Sequence, residues 1–438
     1  MRLSIVGLGK LGTPLAAVFA SKGHYVFGVD VNPERVAALA CGRAPVEEPR
    51  LQELIDCCQE RLTATTSHEQ AVLASDLTFV VVPTPSEADG AFSNRHVVAA
   101  VQAIGRGLRK KGGYHIINIT TTVMPGSTGG IIRESLEAAC GRHVGDHLGL
   151  CYNPEFVALG RVVHDLLYPD LILLGESDSK AGEMVESFYR SVCENRPSIR
   201  RMNLINAEIT KLSINAFLTT KISYANMLAE ICDRIPGADV DIVTSAMGLD
   251  TRIGEKYLRA ATAYGGPCFP RDNIAFGSLA RSIGARADVA EATDRLNRHQ
   301  VERLLAHVRA QAAPGSTIGI FGLSYKAGTP VIEESPGIAL AARLKDSGYL
   351  LKVFDPMALD AARAIFGTEA VADSMADCAR ESDVVVIVTP SPLFSTFQPK
   401  SLSKTAKPAV IIDCWRVLPR ERFEGVAKVV YPGSRNDR

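Results

Sequence analysis

"RLSIVGLGKLGTPLAAVFASKGHYVFGVD" (residues 2–30) decides the fold. "RLSIVG" reads as a buried β-strand and "GLGKLG" as a glycine turn. "TPLAAVFASKGH" is an apolar helix closed by Gly23, and "YVFGVD" is a second strand ending at Asp30. Two parallel strands joined by a helix make a βαβ unit with a right-handed crossover. Gly7, Gly9 and Gly12 form G-x-G-x-x-G inside it. Gly7 permits the tight turn, Gly9 lets a pyrophosphate approach the backbone, and Gly12 lets the helix pack on the strand. The helix N-terminus then offers free N–H groups and the positive end of its dipole to an anion. Asp30 ends the next strand, placed to accept hydrogen bonds from a ribose diol and to repel a 2′-phosphate. The unit therefore predicts NAD rather than NADP.

The same grammar returns in the second half of the chain. "STIGIFGLS" (316–324) is a strand and turn, "PGIALAARLKDSGY" (336–349) a helix, and "LLKVFDP" (350–356) a strand running to Asp355. "SDLTFVVVPTPS" (75–86) and "SDVVVIVTPSP" (382–392) are a second matching pair, each a buried strand leaving into a Thr/Pro/Ser loop. "FGLSYK" shows only one glycine of the triplet, so full dinucleotide contacts are not expected there. Lys326 in that turn either holds a ligand phosphate or is an ordinary surface lysine. Between the halves, "NAEITKLSINAFLTTKISYANMLAEICDRI" (206–235) keeps apolar positions at helical spacing without Gly or Pro. At about 1.5 Å per residue it predicts a helix roughly 45 Å long. The fold class expected is α/β: two Rossmann-like doubly wound domains joined by a long central helix and a helical middle domain, with divisions at 1–200, 201–300 and 301–438.

Composition narrows the function. A chain of 438 residues exceeds the size at which one core stops growing. Forty-eight basic and 48 acidic residues cancel, which argues against a nucleic-acid partner or an anionic membrane surface. Ten cysteines without a CxxC pair suit neither a zinc site nor a disulfide framework, so no metal is expected and a reducing cytoplasm is. The chain opens directly on a strand, and no apolar run approaches the ~18 residues of a membrane span. A secretory leader and a membrane anchor are therefore not expected.

"GGPCFPRD" (265–272) sets the chemical question. Cys268 is either a reactive nucleophile or a small apolar side chain beside a turn. Flanking glycines and prolines place it in a loop, and Asp272 follows within one helical turn. On the long helix, Lys211 and Asn215 are four apart and share a face. An ammonium and an amide presented together stabilise a developing oxyanion and favour a nearby thiolate. The alternative is a solvated lysine and an ordinary helical asparagine. Thr84 in "VVVPTPS" and Thr120, Thr121 and Thr122 in "NITTTVMPGST" lie at strand ends, where α/β folds bind ligands. They are cofactor or substrate contacts, or turn-forming threonines.

Seven segments, in order, resemble the UDP-glucose/GDP-mannose dehydrogenase family almost end to end: "IVGLGKLGTPLA", "TTVMPGST", "YNPEF", "AEITKLSINAFLTTKIS", "DTRIGEKYL", "YGGPCFPRD" and "FGLSYK". The resemblance implies an N-terminal NAD-binding domain, a helical middle that dimerises, and a C-terminal nucleotide-sugar domain. It implies a four-electron oxidation of a sugar C6 alcohol to a carboxylate through a cysteine thiohemiacetal and thioester. Cys268 is then the nucleophile, with Lys211 and Asn215 holding the oxyanion. Asp272 orients water or relays protons, Glu155 is the base for thioester hydrolysis, and Thr122 positions water and cofactor. The implied cofactor contacts are Gly7, Gly9, Lys10, Leu11, Gly12, Asp30, Arg35, Thr84, Pro85 and Thr122. The implied substrate contacts are Glu155, Phe156, Lys211 and Asn215, then Tyr257, Leu258, Ala261, Tyr264 and Gly265, and finally Tyr325 and Lys326. Arg252 is expected to reach across a homodimer interface.

Several positions depart from the family pattern. "NPEFVALG" stands for the usual "NPEFLREG", so Leu159 replaces a carboxylate near the cofactor. Glu333 stands for a usual basic residue, "AATAYGG" replaces a glycine-rich run, and "PRD" replaces "PKD". "DCWR" offers Trp415 or Arg416 for the usual Asp-x-Arg. Pro267 stands where the N-acetylhexosamine branch has histidine, so "CFPRD" resembles the branch that oxidises UDP-glucose or GDP-mannose; UDP-glucose is the leading reading, with GDP-mannose or another UDP-sugar as the alternative. Two rivals remain at this level. One is a single-hydride dehydrogenase, which needs no cysteine. The other is a non-catalytic nucleotide-sugar or NAD sensor.

Overall fold

The computed structural model describes residues 1–402 and 409–435. By internal packing the chain divides into two compact units, Met1–Ser213 and Ile214–Arg438.

The first unit holds β1 (Arg2–Val6), β2 (Tyr25–Val29), β3 (Leu62–Thr65), β4 (Leu77–Val80), β5 (His115–Ile119), β6 (Leu148–Tyr152), β7 (Leu171–Glu176) and β8 (Ser198–Asn203). They form one sheet in the order β3-β2-β1-β4-β5-β6-β7-β8. All neighbours are parallel except β6 and β7, which run antiparallel. β4, β5 and β6 are buried along their whole length, as expected of strands covered by helices on both faces. The order 3-2-1-4-5 reverses between β1 and β4, and a sheet that reverses there opens a crevice at its carboxyl edge. The predicted helix after the glycine turn runs Gly12–Ser21.

The second unit repeats the theme with β9 (Thr317–Phe321), β10 (Leu350–Phe354), β11 (Val384–Ile387), β12 (Ala409–Asp413) and β13 (Ala427–Val430). Their order, β10-β9-β11-β12-β13, reverses between β9 and β11. The likeness of the halves reaches individual residues. A Cβ on Gly12 would lie 1.7 Å from the Gly7 carbonyl oxygen, and one on Gly337 would lie 2.1 Å from that of Gly322. Asp30 accepts from the Leu8 N–H at 2.7 Å, and Asp355 accepts from the Leu323 N–H at 2.7 Å. The second half thus keeps two glycines of the triplet rather than one. The third is displaced in sequence because a long turn, Leu323–Ser335, lies between strand and helix.

The long helix runs Leu204–Cys232, 29 residues without a break. Helices Val240–Gly248, Phe269–Ser282 and Asp288–Arg309 follow it. No described helix is long and apolar enough to cross a membrane.

At the amino edge of the first sheet, a polar chain crosses three strands. Ser4 Oγ meets Thr78 Oγ1 at 2.6 Å, and Thr78 Oγ1 meets His115 Nε2 at 2.8 Å. Lys111 donates to His115 Nδ1 at 3.1 Å, which leaves the imidazole proton on Nε2. Burial, then the Lys111 ammonium, pushes the His115 imidazole down to about 3. Between that value and the ordinary one near 6.5, only the unfolded chain binds the proton, so stability falls as pH falls through this window. Urea unfolding should show His115 contributing a loss of about 3 kcal/mol between pH 6.5 and 4. His115→Gln should remove that part of the slope while lowering stability at neutral pH. An unchanged slope would contradict the assignment.

Candidate active site

The crevice of the first unit is a cavity of about 810 Å³. Gly7, Gly9, Lys10, Leu11, Gly12, Asp30 and Arg35, all candidate cofactor contacts, line it. A side chain on Gly9 would meet nothing within 4 Å, so this glycine leaves open room beside the helix start. Asp30 is buried, its Oδ1 accepts from the Asn32 N–H at 2.8 Å, and Arg35 lies 3.4 Å from its Oδ2. The cavity fits an adenine dinucleotide chemically, with a glycine-edged N-terminus for the pyrophosphate and a carboxylate for the ribose.

Other wall residues differ from expectation. Val82, Pro83 and Thr121 line the cavity, whereas Thr84, Pro85 and Thr122 do not. Thr84 is buried instead and donates to the Thr122 carbonyl at 2.8 Å, fixing the threonine loop from behind. Thr66, His68, His96 and Arg106 also line the cavity. No sequence motif marks them, because they come from separate loops and helices. Burial, then the Arg106 guanidinium, lowers the His68 imidazole below its ordinary range.

The "NPEF" segment is locked into the same unit. Asn153 is buried and donates to the Leu173 carbonyl at 2.8 Å, while the Tyr189 hydroxyl donates to Asn153 Oδ1. Glu155 is half-buried, and its Oε2 accepts from the Val157 N–H at 2.8 Å. Lys211 is buried, donates to the Glu155 carbonyl at 2.6 Å, and lies 4.6 Å from the Phe156 ring centre. Glu48 accepts from the N–H groups of Gly160 and Val162 at 2.9 and 2.8 Å, a loop anchor that sequence reading missed. Leu159 packs against the apolar core, which accounts for an apolar residue at this departure.

In the second unit, Cys268 is exposed at the N-cap of the helix Phe269–Ser282. Asp272 is buried in that helix's first turn, and Asn215 donates to its Oδ2 at 2.6 Å. The paired glycines before the cysteine have a steric reason. A Cβ on Gly265 would lie 2.1 Å from the Glu334 carbonyl oxygen, and one on Gly266 would lie 2.5 Å from the Tyr325 ring. Gly266 has φ +87 and its N–H donates to the Glu333 carbonyl at 3.0 Å. Glu333 therefore serves this loop through its backbone, with its side chain exposed. The Lys326 ammonium lies 5.9 Å from the Tyr325 ring centre.

Two buried asparagines hold the preceding loop. Asn226 accepts from the Ala261 N–H at 2.9 Å and donates to the Thr262 carbonyl at 3.0 Å. Asn297 accepts from the Tyr264 N–H at 2.8 Å and donates to its carbonyl at 2.9 Å. Leu258, Ala261 and Tyr264 point their side chains inward, while Tyr257 is exposed with φ +64. Arg252 is exposed and pairs with Asp250 at 2.6 Å. Arg416 is committed to Asp239 at 2.8 Å and Asp241 at 3.1 Å. Trp415 Nε1 donates to the Val388 carbonyl at 2.6 Å, and Arg259 donates to the Trp415 carbonyl at 2.7 Å. Among the described residues, no group of His, Cys, Asp and Glu is arranged to hold a metal.

The glycine turn and the carboxylate at the end of the next strand mark the first unit as a dinucleotide-binding fold. The UDP-glucose/GDP-mannose dehydrogenase family accounts for the chain in three parts: its NAD binding domain matches residues 1–193, its central domain 205–299 and its UDP binding domain 319–420. The UDP-glucose 6-dehydrogenase AglM of Haloferax volcanii is 36% identical over 424 residues, covering 96% of this chain and 98% of that one. The GDP-mannose 6-dehydrogenase of Pseudomonas aeruginosa is 31% identical over 359 residues, covering 81% of each. The solved UDP-glucose dehydrogenase of Pyrobaculum islandicum superposes with TM-score 0.87 at 32% identity, covering 98% of this chain and 96% of that one. The chain belongs to this family and is an NAD-dependent nucleotide-sugar dehydrogenase.

Gly265→Ala is expected to cost about 1–3 kcal/mol of stability, because backbone faces the added methyl. The same change should alter the rate at which iodoacetamide alkylates Cys268. Wild-type melting and alkylation would show that the loop has room for a side chain.

Proposed function

We propose that this enzyme oxidises the C6 alcohol of UDP-glucose to the carboxylate in two steps, with Cys268 holding the intermediate covalently. The observation that carries the reading is Cys268 exposed at a helix N-terminus, with Asp272 of that helix held by Asn215. NAD bound through Gly7, Gly9, Gly12 and Asp30 supplies the hydride acceptor for each oxidation. The division of labour follows the domains expected at 1–200, 201–300 and 301–438.

The chain's own residues solve a specific chemical problem. An aldehyde carbon is trigonal and a poor hydride donor until a nucleophile adds. The Cys268 sulfur forms a C–S bond to that carbon, and the carbonyl π electrons move onto oxygen, giving a thiohemiacetal. Negative charge on sulfur before attack is favoured at a helix N-terminus. Lys211 and Asn215 stabilise the oxygen as it carries charge. Loss of the remaining hydride leaves a thioester. Water, positioned by Thr122 and deprotonated by Glu155, attacks the thioester carbon. The C–S bond breaks, the carboxylate leaves, and the sulfur regains its proton by way of Asp272. Covalent attachment also keeps the aldehyde from escaping between steps.

UDP-glucose is preferred because the UDP-glucose relative is 36% identical over nearly the whole chain, against 31% over 81% of it for the GDP-mannose relative. A homodimer is part of the proposal. Phe217, Tyr224 and Ile231, seven residues apart on the long helix, expose apolar side chains, as do Ile242 and Leu249. Arg252 is exposed in the same unit and is proposed to reach the second copy.

The test is NADH formation across UDP-glucose, GDP-mannose and UDP-N-acetylhexosamines. Turnover with UDP-glucose at a kcat/KM at least tenfold above the others is expected, and preference for another sugar overturns the assignment. Cys268→Ser should lower steady-state kcat by at least 10³-fold while UDP-glucose binding persists. Wild-type turnover by that variant would make Cys268 structural.

A further inference from the structure

Glu208 lies on the long helix, three residues before Lys211, and its side chain has no exposed surface. Its Oε2 accepts from the Gly126 N–H at 2.6 Å, and its Oε1 accepts from the Thr128 N–H at 2.8 Å. A carboxylate without a partner cation is costly to bury, and two N–H donors offset that cost. Burial nonetheless raises its carboxyl above the ordinary range.

The clamp acts on a particular segment. Thr120–Thr128 leaves the end of β5 and carries Thr121 into the cofactor cavity. Its start is fixed by the Val80 carbonyl, which accepts from the N–H groups of Thr120 and Thr121 at 3.0 and 3.3 Å. Its middle is fixed by Thr84. Beyond it, Thr128–Ile132 forms a π-helical turn in which Gly130 leaves helical geometry at φ −100 and ψ −113. Such turns are rare single-turn interruptions of a helix, and a group outside the loop holds its far end at Gly126 and Thr128. Glu208 is that group. One turn later, Lys211 holds the Glu155 carbonyl at 2.6 Å. One stretch of helix therefore grips two loops, the threonine loop at the cofactor cavity and the loop of Glu155.

We propose that Glu208 is a positioning residue that sets the threonine loop against bound NAD, with its two accepted N–H bonds as the device. This deepens the dehydrogenase reading and rests on it. Glu208 does not line the cofactor cavity, so its effect passes through the loop. Glutamine has the same shape, but its amide can accept from only one of the two N–H groups and turns an N–H toward the other.

Glu208→Gln is therefore expected to weaken NAD binding and to raise KM for NAD, with kcat/KM for NAD falling roughly ten- to hundredfold. KM for the nucleotide sugar should stay within about twofold. A purely structural role would instead reduce the active fraction, lowering kcat with both KM values unchanged, and that pattern overturns the proposal. NAD affinity measured by direct titration separates this from the catalytic reading: it tests Glu208 even if wild-type enzyme makes no NADH with any sugar tried. Hydrogen exchange on wild-type protein keeps the idea testable if the variant does not fold. The Gly126 and Thr128 amides should exchange at least a hundredfold more slowly than unbonded loop amides. Free exchange at both would show that the clamp is absent.

Discussion

In each half of this enzyme a helix is pressed against the turn that precedes it, closer than any side chain permits. Gly12 on Gly7 and Gly337 on Gly322 both leave less than 2.5 Å between a would-be Cβ and a carbonyl oxygen. This contact brings the helix N-terminus to the strand's carboxyl edge, where the sheet order reverses. Asp30 and Asp355 brace the two turns in the same way, through the N–H groups of Leu8 and Leu323. In the first unit the helix start follows the turn directly, and the crevice is left open at Gly9. In the second unit the turn expands into Leu323–Ser335, whose Tyr325, Glu333 and Glu334 pack on the glycines beside Cys268. One backbone device thus makes a cofactor crevice in one unit and a support for the Cys268 loop in the other.

Much of this was legible in the sequence because its causes are local. The first glycine triplet, the strand ends and the long helix follow from backbone sterics and periodicity within short windows. The second unit's third glycine was not legible, since the inserted turn separates it from the first. Glu48, Glu208, Asn226 and Asn297 were not legible either. Each is a polar residue whose task is to satisfy backbone groups far away in sequence, and nothing local tells such a residue from a solvated one. Cys268 was intermediate. Its residues alone left a nucleophile and a turn-side apolar group both open, and the ordered resemblance across the chain pointed to the first. The structure adds its exposure and its helix N-terminus.

The departures from the family pattern also gain physical content. Leu159 joins the apolar core, and Glu333 works through its carbonyl oxygen. Arg416 is paired with two aspartates, while Arg259 rests on the Trp415 carbonyl. Within each unit the Lys211–Glu155 and Asn215–Asp272 contacts stay in place beside these changes.

The central claim is that one active cysteine carries the sugar through two successive oxidations. Its most direct test is the number of NADH molecules formed per molecule of UDP-glucose consumed to completion. The account predicts two, with UDP-glucuronate as the product and no free aldehyde released. One NADH per sugar, with an aldehyde accumulating, would contradict it.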